Sequence, residues 1–128
     1  MRCLLDTHVV IWAMVGSEKL SGKARSILQD PSNIFYVSSA SLWEVSIKHS
    51  AKPEDIPVTT EQVIRFCQDS GIVELPVRFG HAQRVSMLPA YHNDPFDRML
   101  VAQASAEGFS LLSHDHRLPP YGDFVILA

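Results

Sequence analysis

The chain has 128 residues, 46% hydrophobic and 20% charged, a size and balance that predict one globular domain over residues 1–128 and exclude a long disordered tract. Its longest apolar run, Val9 to Val15, falls far short of the roughly 20 residues of a bilayer-spanning helix, and Asp6 and His8 interrupt the place of a secretory leader's apolar centre, so a cytoplasmic protein with no membrane segment is expected. A net charge of −3 gives no general attraction for nucleic acid, so such a substrate would have to be held by metal ions, a local basic patch or a second subunit.

Arg2 to Leu5 reads as a short strand entering Asp6-Thr7, and Thr7 to Val15 as a helix apolar on all sides, capped by Asp6. Ser21 to Asp30 is the next helix, with Ala24, Ile27 and Leu28 on one face and Pro31 beyond its end. Ile34 to Val37 is a second strand. It feeds Ser38 to Ser41, where Ser41 and Glu44 have the spacing of a capping box opening a helix with Leu42, Val45 and Ile47. Lys52 to Pro57 has loop chemistry; Thr60 to about Gly71 reads as a helix, Ile72 to Leu75 as a strand and Arg78 to Leu88 as a helix. After the turn-rich Pro89 to Asp94, the run Asp94-Pro95-Phe96-Asp97 places a capping aspartate before proline at the first helical position, and Gly108 ends that helix. Phe109 to Leu112 and Phe124 to Leu127 are the last strands. Short apolar strands alternating with helices imply parallel crossovers, hence an α/β fold: a three-layer α/β/α sandwich around a mostly parallel sheet.

In an open parallel sheet, ligands gather beyond the carboxyl ends of the strands. Asp6 directly follows the first strand, Glu44 stands in the first turn of the helix after the second, Asp97 in the first turn of its helix, and Asp115 just after the strand ending near Ser113. Singly, the first three have innocent readings as a cap, a capping-box partner and a charge favoured by the helix dipole. Gathered at one edge they would repel one another, a cost that a bound divalent cation removes. Carboxylate oxygens suit Mg²⁺ or Mn²⁺, which can activate a water and stabilise the charge growing on a phosphodiester. The pattern therefore points to a metal-dependent phosphodiesterase.

The stretches Leu4-Leu5-Asp6-Thr7-His8, Ser41 to Lys48 (SLWEVSIK), Asp94 to Ala104 (DPFDRMLVAQA) and Leu111 to Asp115 (LLSHD), in this order and spacing, resemble the PIN domains, most closely the VapC toxins of bacterial type II toxin-antitoxin pairs. Carried over by position, Asp6, Glu44, Asp97 and Asp115 match that family's acidic quartet, and Thr7 and Ser113 its supporting hydroxyl residues. The resemblance implies a PIN-like fold, Mg²⁺- or Mn²⁺-dependent endonucleolytic cleavage of RNA, a homodimer and inhibition by a cognate antitoxin. Asp6 and Asp97 are then expected to supply most of the direct metal ligation. Asp115 would ligate directly or through water, and Glu44 would hold a metal-bound water or orient the nucleophile.

Other features carry less. Cys3 and Cys67 read as reduced thiols among apolar neighbours, and Trp12 and Trp43 as core or dimer-surface residues rather than base-stacking platforms. His114-Asp115-His116 lacks zinc-site spacing, so His114 and His116 read as surface residues or phosphate contacts. His8 reads as a local hydrogen-bonding residue beside the site. His49, His81 and His92 show no pattern, Asp94 reads as a cap, and Arg98 is left between a phosphate contact and a solvated helix face. The competing reading is a non-catalytic PIN-fold protein or RNA-binding module, which would have no need of all four acids. An aspartate-phosphotransfer domain fits less well. A phosphatase of that kind needs a second aspartate at position 8, and a receiver needs an acidic pair at the end of the first strand.

Overall fold

The computed structural model describes residues 1–128 and contains a five-stranded sheet in the order β3-β2-β1-β4-β5, every pairing parallel. The strands are β1 (Arg2–Leu5), β2 (Ile34–Ser38), β3 (Val73–Leu75), β4 (Ser110–Ser113) and β5 (Val125–Leu127). The helices are α1 (Thr7–Val15), α2 (Gly22–Gln29), α3 (Ser39–Ala51), α4 (Thr60–Ser70), α5 (Phe79–Val85) and α6 (Pro95–Glu107). The α/β/α sandwich expected from the alternation of strand and helix is the fold observed.

Alternation along the central strand builds the layers, because successive strand side chains point to opposite faces. Cys3 and Leu5 join a core with Val9 and Ile11 of α1, Ala24 of α2, Val45 of α3 and Val63 of α4. Leu4 turns the other way, to Leu111 of β4 and to Leu100, Val101 and Ala104 of α6. Each large side chain buried here contributes about 1.5–3 kcal/mol, so a central strand apolar on both faces is the position that buries most. No helix is long and apolar enough to cross a membrane.

Three expectations need correction. Helix α3 is capped by Ser38, whose side chain accepts from the Ala40 N–H, so the helix begins earlier than Ser41 and no Ser41–Glu44 capping box forms. The buried Ser41 hydroxyl has no hydrogen-bond partner, and Glu44 instead points inward from the second turn. Helix α5 stops at Val85 rather than Leu88: the chain beyond it tightens into three-residue turns, Ser86 bonding to Gln83, Met87 to Arg84 and Leu88 to Val85, and the carbonyls of Val85 and Leu88 also accept from the Arg98 guanidinium. Finally, α1 is buried only through Ile11; Val15, at its end, is exposed. A short 3-10 turn at Pro119–Tyr121, which no sequence signal announced, separates β4 from β5.

The topology decides where a site can lie. From β1 the chain moves outward to β2 and β3, then returns to place β4 on the other flank of β1. The connections therefore diverge at the carboxyl ends of β1 and β4, where the strand order reverses and a crevice opens.

Candidate active site

Asp6 leaves β1 at that crevice and does two things at once. Its Oδ1 caps α1 by accepting from the Val9 N–H at 2.8 Å. Its Oδ2 reaches across to the end of β4, accepting from the Ser113 hydroxyl at 2.5 Å and the His114 N–H at 3.2 Å, with His114 Nδ1 also at 3.2 Å. Capping and site-building are thus roles of one side chain. The next residue, Thr7, donates its hydroxyl to Glu44 Oε1 at 2.6 Å, and Lys48, one turn along α3, donates to Glu44 Oε2 at 2.5 Å. Thr7 and Ser113, expected as supports, each hold one of the buried carboxylates.

Asp97 and Asp115 form a more open rim. Asp115 Oδ1 accepts from the backbone N–H and Nε of Arg117, and its Oδ2 accepts from Arg117 Nη2 and, at 2.7 Å, from His92 Nε2. Asp97 sits in the first turn of α6, its Oδ2 3.1 Å from the same His92 nitrogen. Asp94 caps α6 by accepting from the Phe96 and Asp97 N–H groups, as expected, and also faces Lys48 at 3.9 Å.

These environments separate the acids electrostatically. Burial, then repulsion from Asp94 and Asp6, pushes Asp97 up to about 7. Burial also acts to raise Asp115, but the hydrogen bonds from Arg117, joined by that from His92, outweigh it and hold this carboxyl well below the usual range. The hydrogen bond to Asp6 outweighs burial and raises His114, and for Lys48 burial is outweighed by the bond to Glu44 and by nearby acids. A carboxylate disfavoured by its own neighbours lacks a positive charge, and ligand atoms of Asp97, Asp115 and His92 lie within 4.8 Å of one another. Hard oxygen donors under mutual repulsion fit a divalent cation such as Mg²⁺ or Mn²⁺.

His92 is the participant that sequence reasoning missed. It lies in an irregular loop without periodic pattern, yet its side chain is only 3% exposed and touches two of the four acids. Lys48 was also missed, although its position four residues after Glu44 on a helix was a legible sign of a pair. Arg98 is neither a free phosphate contact nor a solvated residue. Its guanidinium donates to the carbonyls of Val85, Leu88, Pro89 and His92 and to the Tyr121 hydroxyl. His114 is tied to Asp6 rather than free at the surface, whereas His116 is exposed. His8 turns to Asp55, its ring against those of His114 and Trp12. Trp43 is 63% exposed, so it is no core residue, and its ring meets Phe96 edge-on.

The family model for the PIN domain matches residues 3–123. Among solved structures, VapBC2 of Rickettsia felis bound to a DNA fragment from its promoter is similar over 100% of this chain and 98% of that one, with a TM-score of 0.71 at 15% identity. A toxin-antitoxin complex from Klebsiella pneumoniae is similar over 97% and 95% of the two chains, with a TM-score of 0.64 at 17% identity. VapBC-1 of nontypeable Haemophilus influenzae follows, over 94% and 92%, with a TM-score of 0.63 at 16% identity. At such identities the likeness establishes the fold alone. A search of curated protein sequences returned no match.

Proposed function

The chain belongs to the PIN-domain family, and we propose that it is a divalent-metal-dependent endoribonuclease, the toxin of a type II toxin-antitoxin pair, acting as a single domain in the cytoplasm. The observation that carries this reading is the meeting of Asp6, Glu44, Asp97 and Asp115 at the switch-point crevice, where Asp97 is pushed up to about 7 by burial and by the neighbouring acids. Such repulsion is a cost that a purely structural cluster has no reason to carry.

Asp97, Asp115 and Asp6 would hold the cation. When bound, Mg²⁺ or Mn²⁺ would supply positive charge for the phosphodiester oxygens and lower the pKa of a coordinated water. Glu44, its two oxygens fixed by Thr7 and Lys48, orients the attacking water as an acceptor that cannot swing away. Ser113 and the His114 N–H hold Asp6 across the gap between β1 and β4, so the two strand ends keep a fixed spacing. Lys48, on the Glu44 side, and Arg117, on the Asp115 side, are the cations of this crevice that a backbone phosphate would meet.

For partners, the reading includes RNA as substrate, a homodimer and a cognate antitoxin. The solved relatives named above are toxin-antitoxin complexes, and apolar side chains next to the crevice, Trp43 and Ile47 on α3 and Val77 before α5, are exposed, as a protein-binding surface requires. Purified protein incubated with RNA and Mn²⁺ or Mg²⁺ should cut it internally and stop on addition of EDTA. Asp6→Asn should abolish cutting. Cleavage that persists in that variant would sink the site assignment, and RNA binding without cleavage by the wild type would favour a non-catalytic module.

A further inference from the structure

His92 is the one imidazole that touches two acids of the site, and the obvious reading of the triad His92, Asp97 and Asp115 is a mixed nitrogen–oxygen metal site. The hydrogen bonds around the ring argue otherwise. The backbone N–H of Asp94 points at His92 Nδ1, 2.9 Å away, so Nδ1 must present a lone pair. In the neutral ring the proton then sits on Nε2, facing Asp115 Oδ2 at 2.7 Å with Asp97 Oδ2 at 3.1 Å. A nitrogen that carries a proton has no lone pair for a metal. Moving that proton to Nδ1 would set it against the Asp94 N–H, two donors face to face in a site almost closed to water.

The loop that carries His92 is built to hold this orientation. Arg98 donates to the His92 carbonyl, to the carbonyls of Leu88 and Pro89 in the same loop, and to that of Val85 at the end of α5. The Tyr121 hydroxyl accepts from the His92 N–H and from Arg98 and donates to the Pro89 carbonyl. Arg98 adjoins Asp97, and Tyr121 lies on the segment that follows Asp115, so the loop is fastened to both acid-bearing segments.

Resting on the metal-dependent reading above, we infer that His92 is a positioning residue and not a metal ligand: its Nε2–H holds the Asp97 and Asp115 carboxylates at ligating separation. Outer-shell donors of this kind typically affect metal affinity about 10- to 100-fold. The inference predicts that His92→Leu binds Mn²⁺ about 10- to 100-fold more weakly by calorimetry, and that His92→Gln, whose amide nitrogen can donate from a similar place, recovers most of the loss.

Two measurements on the wild type stand independently of how those variants fold. Two-bond ¹H–¹⁵N correlation spectra of the metal-free protein should show His92 protonated on Nε2 and bare on Nδ1. Electron spin-echo spectra of the Mn²⁺-loaded protein should show no coordinated nitrogen that disappears in His92→Gln. A proton on Nδ1, a coordinated nitrogen lost in His92→Gln, or a His92→Leu variant that binds Mn²⁺ as tightly as wild type would overturn the inference while leaving the metal-dependent reading in place. Wild type that takes up no Mn²⁺ at millimolar concentration would overturn that reading and the inference with it.

Discussion

The acids of the crevice fall into two regions that are held by different means. At the floor, Asp6 and Glu44 are buried and each of their four oxygens accepts a hydrogen bond from a neighbour fixed on a strand end or a helix. At the rim, Asp97 and Asp115 are more open and share a histidine from an irregular loop. Their carboxyls are displaced in opposite directions, Asp97 upward and Asp115 downward. The difference teaches that a shared neighbour does not decide charge. Arg117 favours the Asp115 anion, whereas burial and the nearby acids leave Asp97 disfavoured as one.

The largest test of the contrast is Asp6→Asn. Asparagine still caps α1, so the fold should survive while RNA cleavage falls by more than about 100-fold, beyond what loss of an outer-shell partner costs. A gel assay beside a circular dichroism spectrum separates the two effects. Next, Thr7→Val removes the hydroxyl that serves Glu44 Oε1 and leaves a buried carboxylate oxygen without its donor, a loss of about 1–3 kcal/mol in urea unfolding. At the rim, Arg98→Ala strips the His92 loop of its anchor. Unfolding stability should fall by about 1–2 kcal/mol, with hydrogen exchange accelerating over residues 85–93 and not in β1.

pH sharpens the comparison further. The folded chain holds the Asp97 proton up to about 7, whereas the unfolded chain releases it near 3.8, so between those values the folded state binds more protons and metal-free stability declines as pH rises. Asp97→Asn should remove that decline, and Mn²⁺ should raise the Tm most above pH 7, where Asp97 is ionised. Asp115 has the opposite sign: its contribution is present above the usual carboxylate range and is lost as pH falls below it. The smallest effect is that of Arg117→Ala. The Asp115 carboxyl should move back up in an NMR titration with little change in stability, because Arg117 is exposed.

The floor was legible in the sequence and the rim only half so. Asp6 follows a strand and caps a helix, and Glu44 lies on a helix next to one, so local rules placed both near the crevice even though the capping box assigned to Ser41 and Glu44 was the wrong reason. Asp97 and Asp115 were found by the same logic of element ends. His92, Arg98 and Tyr121 were not, because the contacts between Tyr121 and the first two span 29 and 23 residues of chain, and none of these contacts follows a helical or strand period.

By itself the sequence determined the alternation of strand and helix, the parallel sheet and the acids at its edge, since these follow from apolar periodicity, caps and the chirality of crossovers. Which donors each acid meets, that the Asp97 and Asp115 carboxyls are displaced in opposite directions, and that a buried imidazole stands between them came from the folded chain. Those are properties of distance and burial. They depend on how loops fold back over the sheet, where the hydrogen-bonding capacity of each buried group must be met by whatever the packing brings near.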